Sequence, residues 1–285
     1  MKKFENIILA SDIDGTFLGR DGKAPKKNIE KVHYFTENGG HFLFSSGRNS
    51  KDILVIINDV KSVVNTPCVL CNGGMLYDVN ADRIENPVYA DTAELIELFR
   101  DVDKLFPDVG FRASHEGGFV IRDTDDFMRS ALQSQGLMPY TTAVPIDEFI
   151  GYKFFKAVFY STRERIAELS DNIILRYGDR FTFTRSANVL LEVMPKGITK
   201  AYQLKFLKEK FAKAYPDVEL WCIGDYENDI DMLRYADFAA CPDNASETVK
   251  EICGIHLCHC HDGAVGELID VIEKSQNNKL KDVKK

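Results

Sequence analysis

The sequence predicts an α/β protein built on a parallel sheet, with a second, smaller α/β domain inserted into it. Three observations carry this expectation. Short β-branched apolar runs alternate with stretches of helical spacing from the N-terminus onward, the pattern of βαβ units. Several of those runs end in polar, glycine-bearing stretches, as expected where the strands of an open sheet present a site at their carboxyl ends. From about residue 85 to residue 187 the pattern changes to short strand-like runs separated by helices, enough chain for a domain of its own.

The whole composition agrees. The 285 residues leave ample chain for a real core, and 45% hydrophobic and 28% charged content are ordinary for a globular protein. A net charge of −8 argues against nucleic acid as a partner, because such proteins show a basic face. It leaves phosphorylated substrates open, since a metal and a few local cations can offset the global field. Each apolar run is far short of the ~20 residues of a membrane span. Lys2 and Lys3 precede an apolar run too short for a signal peptide, so a cytoplasmic protein is expected. The seven cysteines are odd in number and mostly sit in strand-like runs, where they read as small buried hydrophobes.

The first strand is expected at Asn6 to Ala10. It delivers Ser11-Asp12-Ile13-Asp14-Gly15-Thr16, with Gly15 allowing a sharp turn. Asp12 and Asp14 would therefore stand at the mouth of a site. Two close carboxylates repel unless a cation or proton separates them, and a hard cation such as Mg2+ takes oxygen ligands. Lys26 to Asn38 has helical spacing, and Gly39-Gly40 ends it. His41 to Phe44 is a second strand, bringing Ser46-Gly47-Arg48 to the same edge. A hydroxyl, a glycine N–H and an arginine suit a phosphate. A helix is expected from Asp52 to Val60, then a third strand from Thr66 to Cys71 ending at Asn72-Gly73-Gly74. Cys68 and Cys71 would point to opposite sides of that strand, which speaks against a redox or zinc pair.

In the inserted part, helices are expected at Thr92 to Phe106, Asp126 to Gln135 and Arg163 to Arg176. Strands are expected at Gly118 to Ile121, Phe154 to Tyr160 and Phe181 to Thr184. Arg112, His115, Glu116 and Arg122 lie near those strands; any of them could contact a substrate, but a solvated position is the expectation for each. Val189 to Met194 reads as a return to the main sheet. Pro195 to Thr199 then leads into a helix capped by Thr199, with Lys200 in its first turn. A lysine there opposes the helix dipole, and binding a phosphate would give it a role; Lys196 competes for that role. Val218 to Ile223 is a strand that ends in Gly224-Asp225-Tyr226-Glu227-Asn228-Asp229, a second acidic cluster after a buried strand. If the two strands are neighbours, the clusters converge on one metal site. The tract His256 to His261 offers one zinc knuckle where two are usual, so it reads as an edge strand before Asp262-Gly263. Lys279 to Lys285 reads as a solvated tail.

Taken together, Asp12-Ile13-Asp14-Gly15-Thr16, Ser46-Gly47-Arg48, Lys200 and Gly224-Asp225-Tyr226-Glu227-Asn228-Asp229, in that order, resemble the haloacid dehalogenase (HAD) superfamily of phosphatases. The likeness is to its Cof-type branch of sugar-phosphatase-like hydrolases and covers essentially the whole chain. Asn72-Gly73-Gly74 and His261-Asp262-Gly263 resemble later landmarks of that branch.

The resemblance implies a Rossmann-like HAD core at 1–84 and 188–285, with an α/β cap at 85–187 that sets specificity. It implies a Mg2+-dependent phosphomonoester hydrolase of small metabolites, sugar phosphates being the expected class. Asp12 would be the nucleophile and Asp14 the general acid and base. Ser46, Gly47 and Lys200 would bind the phosphoryl group, and Asp12, Asp225 and the Asp14 carbonyl the metal. Asn228 and Asp229 would stand behind them, and Arg48 and Asn72 would touch substrate. The sequence departs from the common pattern in having Ser46 where threonine is frequent and Ala201 after the lysine. The alternatives are a phosphomutase of the same fold, or a catalytically weak phospholigand-binding regulatory protein. A monomer or weak homodimer is expected, with a small phosphate ester as the partner.

Overall fold

The computed structural model describes residues 2–57 and 59–282. The first strands are β1 (Ile7–Ser11) and β2 (His41–Phe44). A small antiparallel sheet follows, made of β3 (Cys68–Leu70), β4 (Met75–Asp78) and β5 (Arg83–Glu85). The inserted sheet comprises β6 (Gly110–His115), β7 (Gly118–Arg122), β8 (Thr141–Val144), β9 (Lys156–Tyr160), β10 (Phe181–Ala187) and β11 (Leu190–Pro195). The chain then returns to the first sheet with β12 (Glu219–Ile223), β13 (Phe238–Pro242) and β14 (Ile255–Leu257).

The main sheet has the order β14-β13-β12-β1-β2, and each neighbouring pair is parallel. Both of its faces are covered. Ile7 and Leu9 enter one core with Val32, Phe35, Leu268 and Ile272, while Ile8 and Ala10 enter another with Leu204, Leu207 and Met232. That two-sided burial is why β1 reads as an unbroken apolar run rather than an alternating one. Each fully buried aliphatic side chain contributes roughly 1.5–3 kcal/mol of transfer free energy. From β1 the chain steps to β2 on one side and later to β12 on the other. The sheet order therefore reverses at β1, the place where open α/β sheets form their crevice.

The second sheet has the order β10-β11-β9-β6-β7-β8; its pairs are antiparallel except β7 with β8. The helices Thr92–Leu105 and Arg163–Tyr177 cover one face, packing Leu95, Phe99, Leu169 and Ile173 against Phe111, Phe159 and Val193. The α/β fold with a parallel core sheet and a separate inserted sheet is as expected from sequence.

Several details differ. Leu190–Pro195 is a strand, but it pairs with β9 and β10 in the inserted sheet rather than returning to the main one. We therefore place the second border of the insertion after Pro195, not at 188. The strands β4, β5, β6 and β8 are short or carry polar residues, lack the apolar runs that reveal β1 and β2, and are not expected from the sequence. The helix expected at Asp52 to Val60 forms instead as Ser50–Ile56 and Val60–Val63. The third strand is shorter than expected, because Cys71 and Asn72 take φ near +52° and leave the strand. The last helix, Ala264–Asp282, runs into the stretch expected to be a tail, whose remainder lies outside the described residues. Among the described residues, no helix is long and apolar enough to cross a membrane.

Candidate active site

The carboxyl ends of β1, β2 and β12 converge beneath the inserted sheet, and the residues that follow them line a cleft of about 300 Å3. Asp12, Asp14, Ser46, Gly47, Arg48 and Asp225 all border it. The parallel register makes this possible: Ser11 is level with Ile223 and with Phe44, so the next residues of three strands emerge side by side.

Asp12 is buried and its backbone N–H donates to the Ile223 carbonyl at 2.9 Å. Its Oδ1 accepts from Lys200 Nζ at 2.6 Å, and the same ammonium donates to Asp229 Oδ1 at 2.6 Å. Lys200 is fully buried in the first turn of the helix Lys200–Ala212. Burial alone would pull its pKa down, but the Asp12 and Asp229 carboxylates outweigh it and hold the ammonium charged. Those carboxylates also answer the unfavourable helix dipole. Thr199 occupies the N-cap position, although its side chain makes no capping bond. Lys196, the competing lysine, is away from the cleft and donates to the Gly178 carbonyl.

Asp229 is fully occupied. Its second oxygen accepts from the backbone N–H of Asp225 at 2.9 Å and of Tyr226 at 3.1 Å. Gly224 makes this turn possible, since a Cβ there would lie 2.4 Å from the Asp229 carboxyl carbon. Asp225 Oδ1 accepts from Thr16 Oγ1 at 3.2 Å. Gly15, with φ +79°, lets the first turn approach it, because a Cβ there would stand 2.5 Å from Asp225 Oδ2. Burial, then Asp229 beside it, pushes the Asp225 carboxyl up to about 7. Burial raises Asp12 too, against the pull of Lys200.

Oxygens of Asp12, Asp225 and Asp229 lie within 4.8 Å of one another. Lys200 supplies a single positive charge against them, and both oxygens of Asp229 already accept hydrogen bonds. Asp12 and Asp225 remain as an all-oxygen donor pair with excess negative charge, which fits a hard divalent cation such as Mg2+. The other candidate cluster is His259, Cys260 and His261. There the His259 Nδ1 already accepts from the His261 N–H at 3.3 Å, and the three residues come from one turn.

Asp14 is half-exposed and held by Arg48, whose Nε and second terminal nitrogen each donate to one carboxylate oxygen at 2.7 Å. Ser46 is buried, and its Oγ accepts from the Arg48 N–H at 3.2 Å. Asn72 is buried behind Gly47. Its Nδ2 donates to Glu192 Oε2 at 2.9 Å, and its Oδ1 accepts from Asn228 Nδ2 at 3.3 Å. Asn228 thus touches Asn72, while Asp229 touches Lys200.

The inserted sheet adds residues that sequence reading did not find. Lys156 and Glu192 form a buried ion pair that Asn72 joins, and both border the cleft. Arg112 borders it as well, contrary to the solvated position expected of it. Of the polar residues weighed with it, Arg122 pairs with Asp103 and Asp125, and Glu116 accepts from the Tyr89 hydroxyl. Cys68 and Cys71 are both buried, and burial pushes each thiol up to about 12, far from the thiolate that redox or metal chemistry needs.

Comparison with known proteins accords with this arrangement. A family model described as haloacid dehalogenase-like hydrolase matches residues 9–269. An HMP-PP phosphatase of Yersinia pestis is 26% identical over 254 residues, covering 86% of each chain. A 5-amino-6-(5-phospho-D-ribitylamino)uracil phosphatase of Bacillus subtilis is 21% identical over 268 residues, covering 85% of this chain and 90% of its own. The fold matches that of a sugar phosphatase of HAD subclass IIB with a TM-score of 0.78 at 17% identity, covering 93% of this chain and 98% of the other.

Proposed function

The chain belongs to the haloacid dehalogenase-like hydrolase family, as a phosphatase of small phosphorylated metabolites; on that premise we propose that it cleaves sugar phosphates and related monoesters through an aspartyl-phosphate on Asp12. The observation that carries this reading is the placement of Asp12. It is buried at the end of β1, fixed by Lys200, flanked by Asp225 and open to a cleft that also contains Asp14.

Asp12 attacks phosphorus, and the bond from phosphorus to the ester oxygen breaks. Asp14 gives its proton to the leaving alkoxide, so the leaving group departs as an alcohol. In the second half, the Asp14 carboxylate takes a proton from water as that water attacks phosphorus. Inorganic phosphate leaves and Asp12 is regenerated, one hard displacement having been divided into two. Lys200, the Ser46 hydroxyl and the Gly47 N–H face the phosphoryl oxygens and stabilise charge as it moves between them. Arg48 engages both oxygens of Asp14 in the free protein; binding substrate turns the guanidinium to the phosphoryl group and frees Asp14 to transfer its proton. Asp12, Asp225 and the Asp14 carbonyl would hold Mg2+, with Asp229 and Asn228 behind them. When bound, the ion offsets the charge between an anionic nucleophile and an anionic phosphate. The inserted sheet roofs the cleft, excludes bulk water and meets the leaving group.

The test is phosphate release from a panel of phosphorylated metabolites, with Mg2+ and with EDTA. Metal-dependent release is expected, with sugar phosphates among the better substrates. No release from a folded protein that binds Mg2+ would overturn the reading.

A further inference from the structure

Each cation at the cleft has a carboxylate partner except one. Lys200 is held by Asp12 and Asp229, Arg48 by Asp14, and Lys156 by Glu192. Among the described residues, no carboxylate lies within ion-pair distance of Arg112. It is half-buried, its guanidinium carbon lies 4.7 Å from the Phe119 ring centre, and it borders the same cleft as Asp12. Its direction follows from strand alternation. Phe111 and Ala113 enter the core of the insertion, so Arg112 emerges on the opposite face, toward the site.

The register extends this into a row. Arg112 is level with Val158 on β9, and Val158 is level with Glu192 on β11. The roof therefore presents, in order, an unpaired guanidinium, an apolar methyl surface, and a carboxylate already tied to Lys156 and Asn72. The phosphoryl group to be transferred belongs at Asp12 and Lys200, on the main sheet. A cation on the roof is thus left for the other end of the substrate. Among the described residues no carboxylate repays the desolvation of this half-buried arginine, and stacking on Phe119 keeps its planar fork ready for a planar or tetrahedral anion.

We propose that Arg112 is a specificity-determining residue that binds a second anionic group, phosphate or carboxylate, on the leaving portion of the substrate. This rests on the phosphatase reading above and narrows it. The substrates turned over best carry two anions: one is transferred to Asp12, and the other is held by Arg112 across the cleft.

The test compares matched esters on the same enzyme preparation. One pair is fructose 6-phosphate and fructose 1,6-bisphosphate; the other is glycerol 2-phosphate and 2-phosphoglycerate. For each pair the ratio of kcat/KM is measured in the wild type, R112Q and R112K. The ratio cancels any difference in folded fraction. The wild type is expected to favour the ester with the second anion. In R112Q that preference falls by about 10- to 100-fold, the value of charge-assisted hydrogen bonds to an ion. R112K, which keeps the charge without the fork, should fall between them. The pair in which the preference is larger identifies the second anion as phosphate or carboxylate. A wild type without preference in either pair, or an R112Q that keeps it, would overturn the assignment while leaving the phosphatase reading intact. Absence of release from every ester by the wild type would overturn both.

Discussion

The ammonium of Lys200 lies 2.6 Å from Oδ1 of Asp12, although 188 positions separate the two residues in sequence. The contact joins the first strand of the main sheet to the helix that follows the insertion. It also orders the energetics of the site: a buried cation is stabilised by two carboxylates, and each carboxylate is tolerated because of the cation.

Removing that cation has two consequences. Lys200→Ala leaves Asp12 and Asp229 buried without their partner, and a broken buried pair typically costs about 3–5 kcal/mol. Urea unfolding without metal should show a loss of that size, and turnover should be lost with it. Lys196→Ala, at an exposed site far from the cleft, should stay within about 0.5 kcal/mol and keep its activity. The reverse ranking would reassign the phosphate-binding lysine.

Asp12→Asn keeps the shape of the side chain and removes the proposed nucleophile. Turnover should fall by roughly 10^4-fold or more, since no other group can replace it. Circular dichroism and thermal melting should show a folded protein. Activity near that of the wild type would end the covalent proposal.

The metal reading has a test that does not depend on activity. Asp12 and Asp225 repel in the free protein, so Mg2+ should raise the melting temperature. The gain is about 2.7 kcal/mol at a hundredfold excess over Kd. Asp225→Asn should lose most of this response. Gly15→Ala should weaken it as well, because its Cβ would press on Asp225 Oδ2 from a backbone of positive φ. An undiminished Mg2+ response in both variants would place the ion elsewhere.

The Lys156–Glu192 pair in the roof gives a stability prediction of a different kind. Glu192→Ala strands Lys156 in a buried position and should cost about 3–5 kcal/mol, whereas replacing both with Met and Leu should recover most of the loss. Chemical denaturation of the single and double variants measures the difference. A double variant as unstable as the single one would show that the pair is more than mutually compensating.

The main-sheet half of the candidate site was legible in the sequence because its chemistry sits directly after apolar strands. Asp12 follows β1, Ser46 follows β2 and Asp225 follows β12, and strand periodicity alone puts such residues at one edge. Lys200 was legible as a cation placed against a helix dipole. The roof was not. Leu190–Pro195 is apolar enough to read as a main-sheet strand, with Glu192 as the one interruption; only its pairing with β9 assigns it to the inserted sheet and brings Glu192 to Lys156. Arg112 looked like any surface arginine until its register with Val158 placed it over the cleft. The role of Asn72 in joining the two halves depends on a left-handed backbone that its sequence only hints at through the glycines beside it.

The central claim, a covalent intermediate on Asp12, is tested most directly by trapping it. The protein is mixed with a substrate in Mg2+, quenched in acid and reduced with borohydride, which converts an acyl phosphate to an alcohol. Peptide mapping should then find homoserine at position 12, only when substrate was present. Phosphate release without that conversion, or conversion at another carboxylate, would contradict the account.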